Sequence, residues 1–141
     1  NKVFSSLMVL PYIDKIAEVE VTINGKTYLF EEEGEEDDLT ATVNGQDITL
    51  DNYRKMYQFF LSAPAEELNY TQETGPEIAR ITYRYRDTDK EDIIRFLKVS
   101  DRRCVLSVNG DESFLTRTVY LDRLQSNLDL ILQDQTPDLD Y

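Results

Sequence analysis

The chain has 141 residues, 40% apolar and 30% charged: one domain's length, with enough apolar material for a core. Lysine and arginine number 15 against 28 acidic residues, a formal charge of −13, which argues against a general nucleic-acid binder. With no histidine and one cysteine, the serine–histidine and cysteine–histidine nucleophile systems, the usual zinc ligand sets and an internal disulfide are excluded.

The chain opens on Asn1 and on the apolar residues Val3, Phe4, Leu7, Met8 and Val9, which suit a short helix. The longest mostly apolar stretch, residues 7–13, falls far short of the roughly 20 residues of a spanning helix. No signal-peptide pattern is present, so the expectation is an excised domain whose targeting segment lies upstream.

Period-two alternation then predicts strands. Val19, Val21 and Ile23 alternate with Glu18, Glu20 and Thr22, and Asn24-Gly25 is a strong hairpin signal. The chain returns over 27–32 with Tyr28 and Phe30 on one face. A third strand carries Leu39, Ala41 and Val43, and Asn44-Gly45 turns into a short one over 46–48. Tyr53, Met56, Tyr57, Phe60 and Leu61 form a one-sided helical stripe that Thr49 or Asp51 can cap and Pro64 ends.

After a linker over 64–76 the pattern repeats. Ile81, Tyr83 and Tyr85 alternate with Arg80, Thr82, Arg84 and Arg86. A more apolar strand follows over 92–99, then Cys104, Leu106 and Val108, then Asn109-Gly110 and a strand over 113–115. Leu121, Leu124, Leu128, Ile131 and Leu132 form a second helical stripe, and 134–141 reads as a polar tail. Asn44-Gly45 and Asn109-Gly110 each follow a valine and precede a helix with an early tyrosine, Tyr53 or Tyr120. Residues 16–63 and 77–133 thus look like two copies of one unit, the alternative being two ordinary β-then-α runs. The expectation is a single α+β domain with an antiparallel sheet of seven or eight strands and two main helices on one face. Whether the halves share one sheet or form two stays open.

Three features could carry chemistry. Residues 31–38 hold seven acids broken only by Gly34, either a cation site (calcium being the natural candidate) or a solvated hairpin tip. Arg80, Arg84 and Arg86 would share one strand face, in a stretch (80–103) with eight basic and five acidic residues. They offer a patch for an acidic protein, an anionic head group or a polyanion; alternatively they pair across strands with acids such as Glu18, Glu20 or Glu91. Asn69-Tyr70-Thr71 matches the glycosylation sequon. Cys104 reads as a core residue. No catalytic or metal-ligating set stands out and no cofactor is expected.

The stretches Tyr12-Ile13-Asp14-Lys15-Ile16 and Val19-Glu20-Val21-Thr22-Ile23-Asn24-Gly25-Lys26-Thr27-Tyr28 resemble the bacterial family called domain of unknown function 4340. So do Asp101-Arg102-Arg103-Cys104-Val105-Leu106-Ser107-Val108-Asn109-Gly110 and Tyr120-Leu121-Asp122-Arg123-Leu124. The resemblance implies a membrane-anchored accessory protein, often encoded beside an ABC transporter, with this domain on the extracytoplasmic face. It carries over no catalytic residues. The expected function is therefore a non-enzymatic interaction module, with Arg80, Arg84 and Arg86 as the partner surface. The partner would be a transporter or envelope protein rather than nucleic acid, with membrane contact only through the anchor. A domain binding a small ligand or calcium is the alternative, and an envelope hydrolase the third reading.

Overall fold

Alternating apolar residues give each strand one inward face, and Asn-Gly turns set how the strands pair. The computed structural model describes residues 13–34 and 38–140; the helix considered near residues 3–9 lies outside them. A 3-10 turn (Ile13–Lys15) leads into β1 (Ile16–Ile23), β2 (Lys26–Glu33), β3 (Thr40–Val43), β4 (Gln46–Ile48) and helix α1 (Leu50–Phe60). The short β5 (Glu67–Leu68) lies in the linker. Then come β6 (Glu77–Tyr85), β7 (Glu91–Lys98), β8 (Arg103–Val108), β9 (Asp111–Arg117) and helix α2 (Val119–Ile131).

All nine strands form one antiparallel sheet in the order β4-β3-β2-β1-β6-β7-β8-β9-β5, so the fold is α+β and the halves share one sheet. The strand beyond the expected eight is β5, two residues that no alternation announces. It forms because backbone amides of Glu66 and Asn69 donate to the Leu115 and Ser113 carbonyls on the edge of β9. Both edge strands are therefore very short, which leaves little template for a foreign strand.

Outward from the central β1–β6 pair, the order is the same in both halves. Val19↔Tyr83 and Val21↔Ile81 flank Glu20↔Thr82, so an approximate twofold through that pair would exchange Val19 with Ile81 and Val21 with Tyr83. The turns carry the same symmetry. Asn44 and Asn109 both adopt φ 51° and precede a glycine at positive φ. The Asn44 amide N–H donates to the Leu29 carbonyl and its Oδ1 accepts from the Leu29 amide, both at 2.8 Å. Asn109 makes the same two bonds to Ile93, at 2.8 and 2.7 Å. Following each ladder from these turns, Glu32↔Ala41 in the first half corresponds to Phe96↔Leu106 in the second.

Both helices pack on the same sheet face. Val19, Val21, Phe30, Val43, Ile81, Phe96 and Leu106 form one buried cluster with Tyr53, Met56, Phe60, Leu124 and Leu128. Thr49 caps α1, its hydroxyl accepting from the Asn52 amide. The helix ends at Phe60, a turn before Pro64, so the proline does not set the end. Its last carbonyls are met in part from the other half: the Tyr120 hydroxyl lies 3.1 Å from the Phe60 oxygen and 3.0 Å from that of Phe59, which also accepts from the Ser62 amide and hydroxyl. Such donors satisfy groups that a helix end otherwise leaves unpaired.

Residues 134–140 are not a free polar tail. Asp134 accepts from the Thr49 amide and the Asn52 side chain. Asp138 exchanges two hydrogen bonds with buried Asn127 and pairs with Arg123. Among the described residues, no helix is long and apolar enough to cross a membrane.

Candidate functional site: the open face of the sheet

With the helices on one face, the polar half of each alternation lies on the other. At its centre Arg84 is held by three carboxylates: Glu20 at 2.7 Å, Glu18 at 3.2 Å and Glu91 at 3.4 Å. These are the three cross-strand acids considered from sequence. The hydrogen bond to Glu20, ahead of the opposing effect of burial, holds its guanidinium charge more firmly than usual. Beside it, Glu77 Oε1 takes the Arg95 Nε at 2.6 Å and the Arg80 Nη2 at 2.9 Å. Partial burial pushes the Glu77 pKa up, but the hydrogen bonds and charges of Arg95 and Arg80 outweigh it and leave the carboxyl below its ordinary value. Arg80, Arg84, Glu20, Glu77 and Glu91 wall a depression of about 340 Å³, with Thr82 among its lining residues.

Arg86 does not share this face with Arg80 and Arg84. Strand β6 ends at Tyr85, and the pairing slips between Ile16 and Glu18 of the neighbouring strand. Such irregularities re-aim side chains. The Arg86 guanidinium donates instead to the Glu32 carbonyl and to Glu32 Oε1, each at 3.0 Å. Glu32 points to the core side and is 3% exposed. A buried carboxylate needs a cation or several donors, and Arg86 is that cation. Its role is in the fold rather than on the open face.

Tyr53 lies close to this pair. Burial first, then the Glu32 charge, raise its phenol pKa well above the ordinary value, with Arg86 acting the other way. The Tyr53 hydroxyl is buried and has no hydrogen-bond partner. The second buried carboxylate, Asp92, accepts from the Tyr85 hydroxyl at 2.5 Å and from Asn109 Nδ2 at 3.1 Å. Burial, then the bond to and charge of Asp92, push Tyr85 up to about 12. Cys104 is fully buried, and burial pushes its thiol up to about 12, the mark of an inert core cysteine.

The charge of the open face is divided between the halves. On β1–β4 it presents Glu18, Glu20, Glu31, Glu33 and Asp47, with no lysine or arginine among the described residues. On β6–β9 it presents Arg80, Arg84, Arg95, Arg103 and Arg117, with Glu77 and Glu91. The linker adds Glu67 and Glu66, paired with Arg103 and Arg117 at 3.1 and 2.6 Å. Leu97, Val105 and Leu115 form a small apolar cluster on this side.

Sequence reading missed Arg95 and Glu77. Arg95 sits in a strand read as largely apolar, yet it shares the parity of Glu91 and Ile93, the signal that marks it as outward. Glu77 follows Gly75-Pro76 and precedes the alternation that begins at Arg80, so no pattern marks it as outward.

Among the described residues of the acidic run, the side chains part to opposite faces. Glu31 and Glu33 lie on the open face and Glu32 on the other; residues 35–37 lie outside the described residues. The sequon asparagine is also engaged: Asn69 Nδ2 donates to the Glu73 and Glu112 carbonyls, and Oδ1 accepts from the Glu73 amide.

Comparison with protein-family models, curated proteins and solved structures finds no match.

Proposed function

We propose that the domain is a non-enzymatic protein-interaction module that docks through the open face of its sheet. The supporting observation is the division of charge across that face, acidic on β1–β4 and arginine-rich on β6–β9. A divided field orients a partner as well as attracting one: a surface with the reverse division is steered into register, and a rotated one meets like charge. The reciprocal ion pairs hold the arginines in place before the partner arrives, lowering the ordering cost of association. Exposed pairs of this kind contribute only about 0–1 kcal/mol each to folding. Stability alone is a weak reason for so dense a set.

The resemblance to the family named above supplies the setting: an anchored accessory protein, this domain on the extracytoplasmic face, and an ABC transporter or envelope protein as partner. The test is co-purification of the full-length tagged protein from its host. An Arg80→Glu, Arg95→Glu pair is compared with Lys55→Glu, a control on the exposed side of α1, with circular dichroism to verify folding. The expected result is a partner retained by the control and lost by the pair. Identical partners for both variants would remove the open face from consideration.

A cleft of about 510 Å³ supports a second reading, a small-ligand site. It lies between the β1–β2 turn and the start of α2, lined by Ile23, Asn24, Ile78, Lys98, Leu121 and Gln125 among others. Its size suits a small molecule. Two of its polar groups already bond to each other, Asn24 Nδ2 to Gln125 Oε1 at 2.8 Å, so a ligand would have to displace that contact.

A further inference from the structure

Tyr70 is 83% exposed, against 43% for Val119 and 36% for Leu139, the other large exposed hydrophobic residues described. An isolated exposed apolar side chain is ordinary. The turn beneath this one is not. The Asn69 side chain makes the three bonds given above. In addition, the Asn69 amide donates to the Ser113 carbonyl at 2.7 Å and the Gln72 amide to the Asn69 carbonyl at 3.2 Å. Gln72 takes φ 53°. The turn is thereby fastened to β9, and the phenol stands out from a fixed base.

We infer that Tyr70 is an anchor for a protein partner, whose surface offers an apolar socket for the ring bordered by lysine or arginine. A tyrosine brings large contact area with few rotors to freeze, and tyrosine is enriched among residues that dominate binding energy. Its presentation on a clamped turn removes the ordering cost that a loose loop would incur. The basic border follows from charge. Beside the same turn lies a depression of about 370 Å³ lined by Asn69, Gln72, Glu73, Glu112 and Ser113, with two acids and no base. Asp111 lies next to Glu112 in the chain. A partner that seats the ring there meets these carboxylates, and a basic border turns the encounter from repulsive to favourable. Such a side chain can also stack on the phenol face. The inference rests on the interaction-module reading but concerns a second surface, at the far edge of the sheet.

The test begins with a photo-crosslinking phenylalanine analogue at position 70 of the full-length protein in its host, and at position 55 as control. A discrete protein adduct specific to position 70 is expected. The captured protein is then purified and titrated with the domain. Tyr70→Ala should weaken binding about tenfold or more, as for an aromatic hot spot, and leave the urea midpoint unchanged. Glu73→Lys with Glu112→Lys should weaken it further, and added salt should weaken wild-type binding. Identical adducts from both positions, an adduct to lipid or glycan, or a Tyr70→Ala affinity within twofold of wild type would each overturn the inference. Titrating the Arg80→Glu, Arg95→Glu pair separates the two surfaces. If that pair loses binding while Tyr70→Ala keeps it, the open-face reading stands and the Tyr70 anchor falls.

Discussion

The two halves repeat one ladder, one Asn-Gly turn and one helix placement, yet they close their cores with different chemistry. In the second half Tyr120, at the start of α2, stacks on Phe96 at 5.6 Å and on Phe59 at 4.8 Å. Its hydroxyl finishes the end of α1. In the first half Tyr53, near the start of α1, packs on Phe30 at 6.4 Å. The position corresponding to Phe96 is Glu32, a buried acid answered by Arg86. The Tyr53 hydroxyl is left without a partner. Around Tyr120 the contact is an aromatic stack with its hydroxyl bonded; around Tyr53 it is an ion pair and an unspent donor. A shared fold fixes where side chains meet, and the residues placed there decide whether the contact stabilises.

The largest way to break this comparison is Arg86→Ala. It leaves the Glu32 carboxylate buried without its cation, which should cost about 3 kcal/mol, the low end of the range for a broken buried pair because Arg86 is partly exposed. Urea denaturation checks it. Replacing both partners, Glu32→Leu with Arg86→Leu, should recover most of the loss, because an apolar pair approximates the second half's packing. If the double variant is as unstable as the single one, the pair has a role beyond charge balance.

Tyr120→Phe comes next. It keeps the stack and removes the donor to the Phe60 carbonyl, at a cost of about 1–2 kcal/mol, while the Phe59 carbonyl keeps its bonds from Ser62. The same denaturation series measures it, and an unchanged midpoint would show the Phe60 carbonyl to be satisfied by other means.

Much of this architecture was legible in the sequence. Alternation of apolar and polar residues placed eight strands because one sheet face is buried and the other is wet. The helical stripes placed both helices, and the Asn-Gly pairs marked the turns because those residues tolerate positive φ. Parity offered Glu18, Glu20 and Glu91 as cross-strand partners for the arginines as a group, and all three fall to Arg84. What alternation could not show was where parity fails. The slip beside Ile16 and the end of β6 at Tyr85 send Arg86 to the core side, and neither leaves a mark in composition. The two-residue β5 and the docked segment 134–140 depend on a few specific backbone and side-chain hydrogen bonds to distant elements, which no periodic pattern encodes. The divided open face was half visible: the arginines stood out, but Arg95 was hidden in an apolar strand and Glu77 stood ahead of the alternation.

Asp134 sharpens the comparison from the capping side. It closes the start of α1, as Tyr120 closes its end. The hydrogen bond from the Thr49 amide, then that from the Asn52 side chain, keep the Asp134 carboxyl below its ordinary pKa despite a small opposing effect of burial. A carboxyl depressed on folding stabilises above its unfolded pKa, and the contribution is lost as pH falls through the folded one. Acid unfolding of Asp134→Asn should therefore show a shallower loss of stability below about pH 4 than wild type. Matching acid limbs would mean the carboxylate is dispensable to the cap.

The smallest effect expected is also the sharpest test, because it applies the same substitution to the other tyrosine. Tyr53→Phe removes a buried hydroxyl that donates to nothing. A buried polar group without a partner costs desolvation that no hydrogen bond returns, so its removal should leave stability unchanged or raise it by up to about 1 kcal/mol. The ring contacts with Phe30 and Tyr57 do not need the oxygen. Tyr53→Phe and Tyr120→Phe should thus move the urea midpoint in opposite directions, or one not at all. If both lose stability alike, the Tyr53 hydroxyl has a partner in solution, and the place to seek it is the Glu32–Arg86 pair, whose charges already act on that phenol.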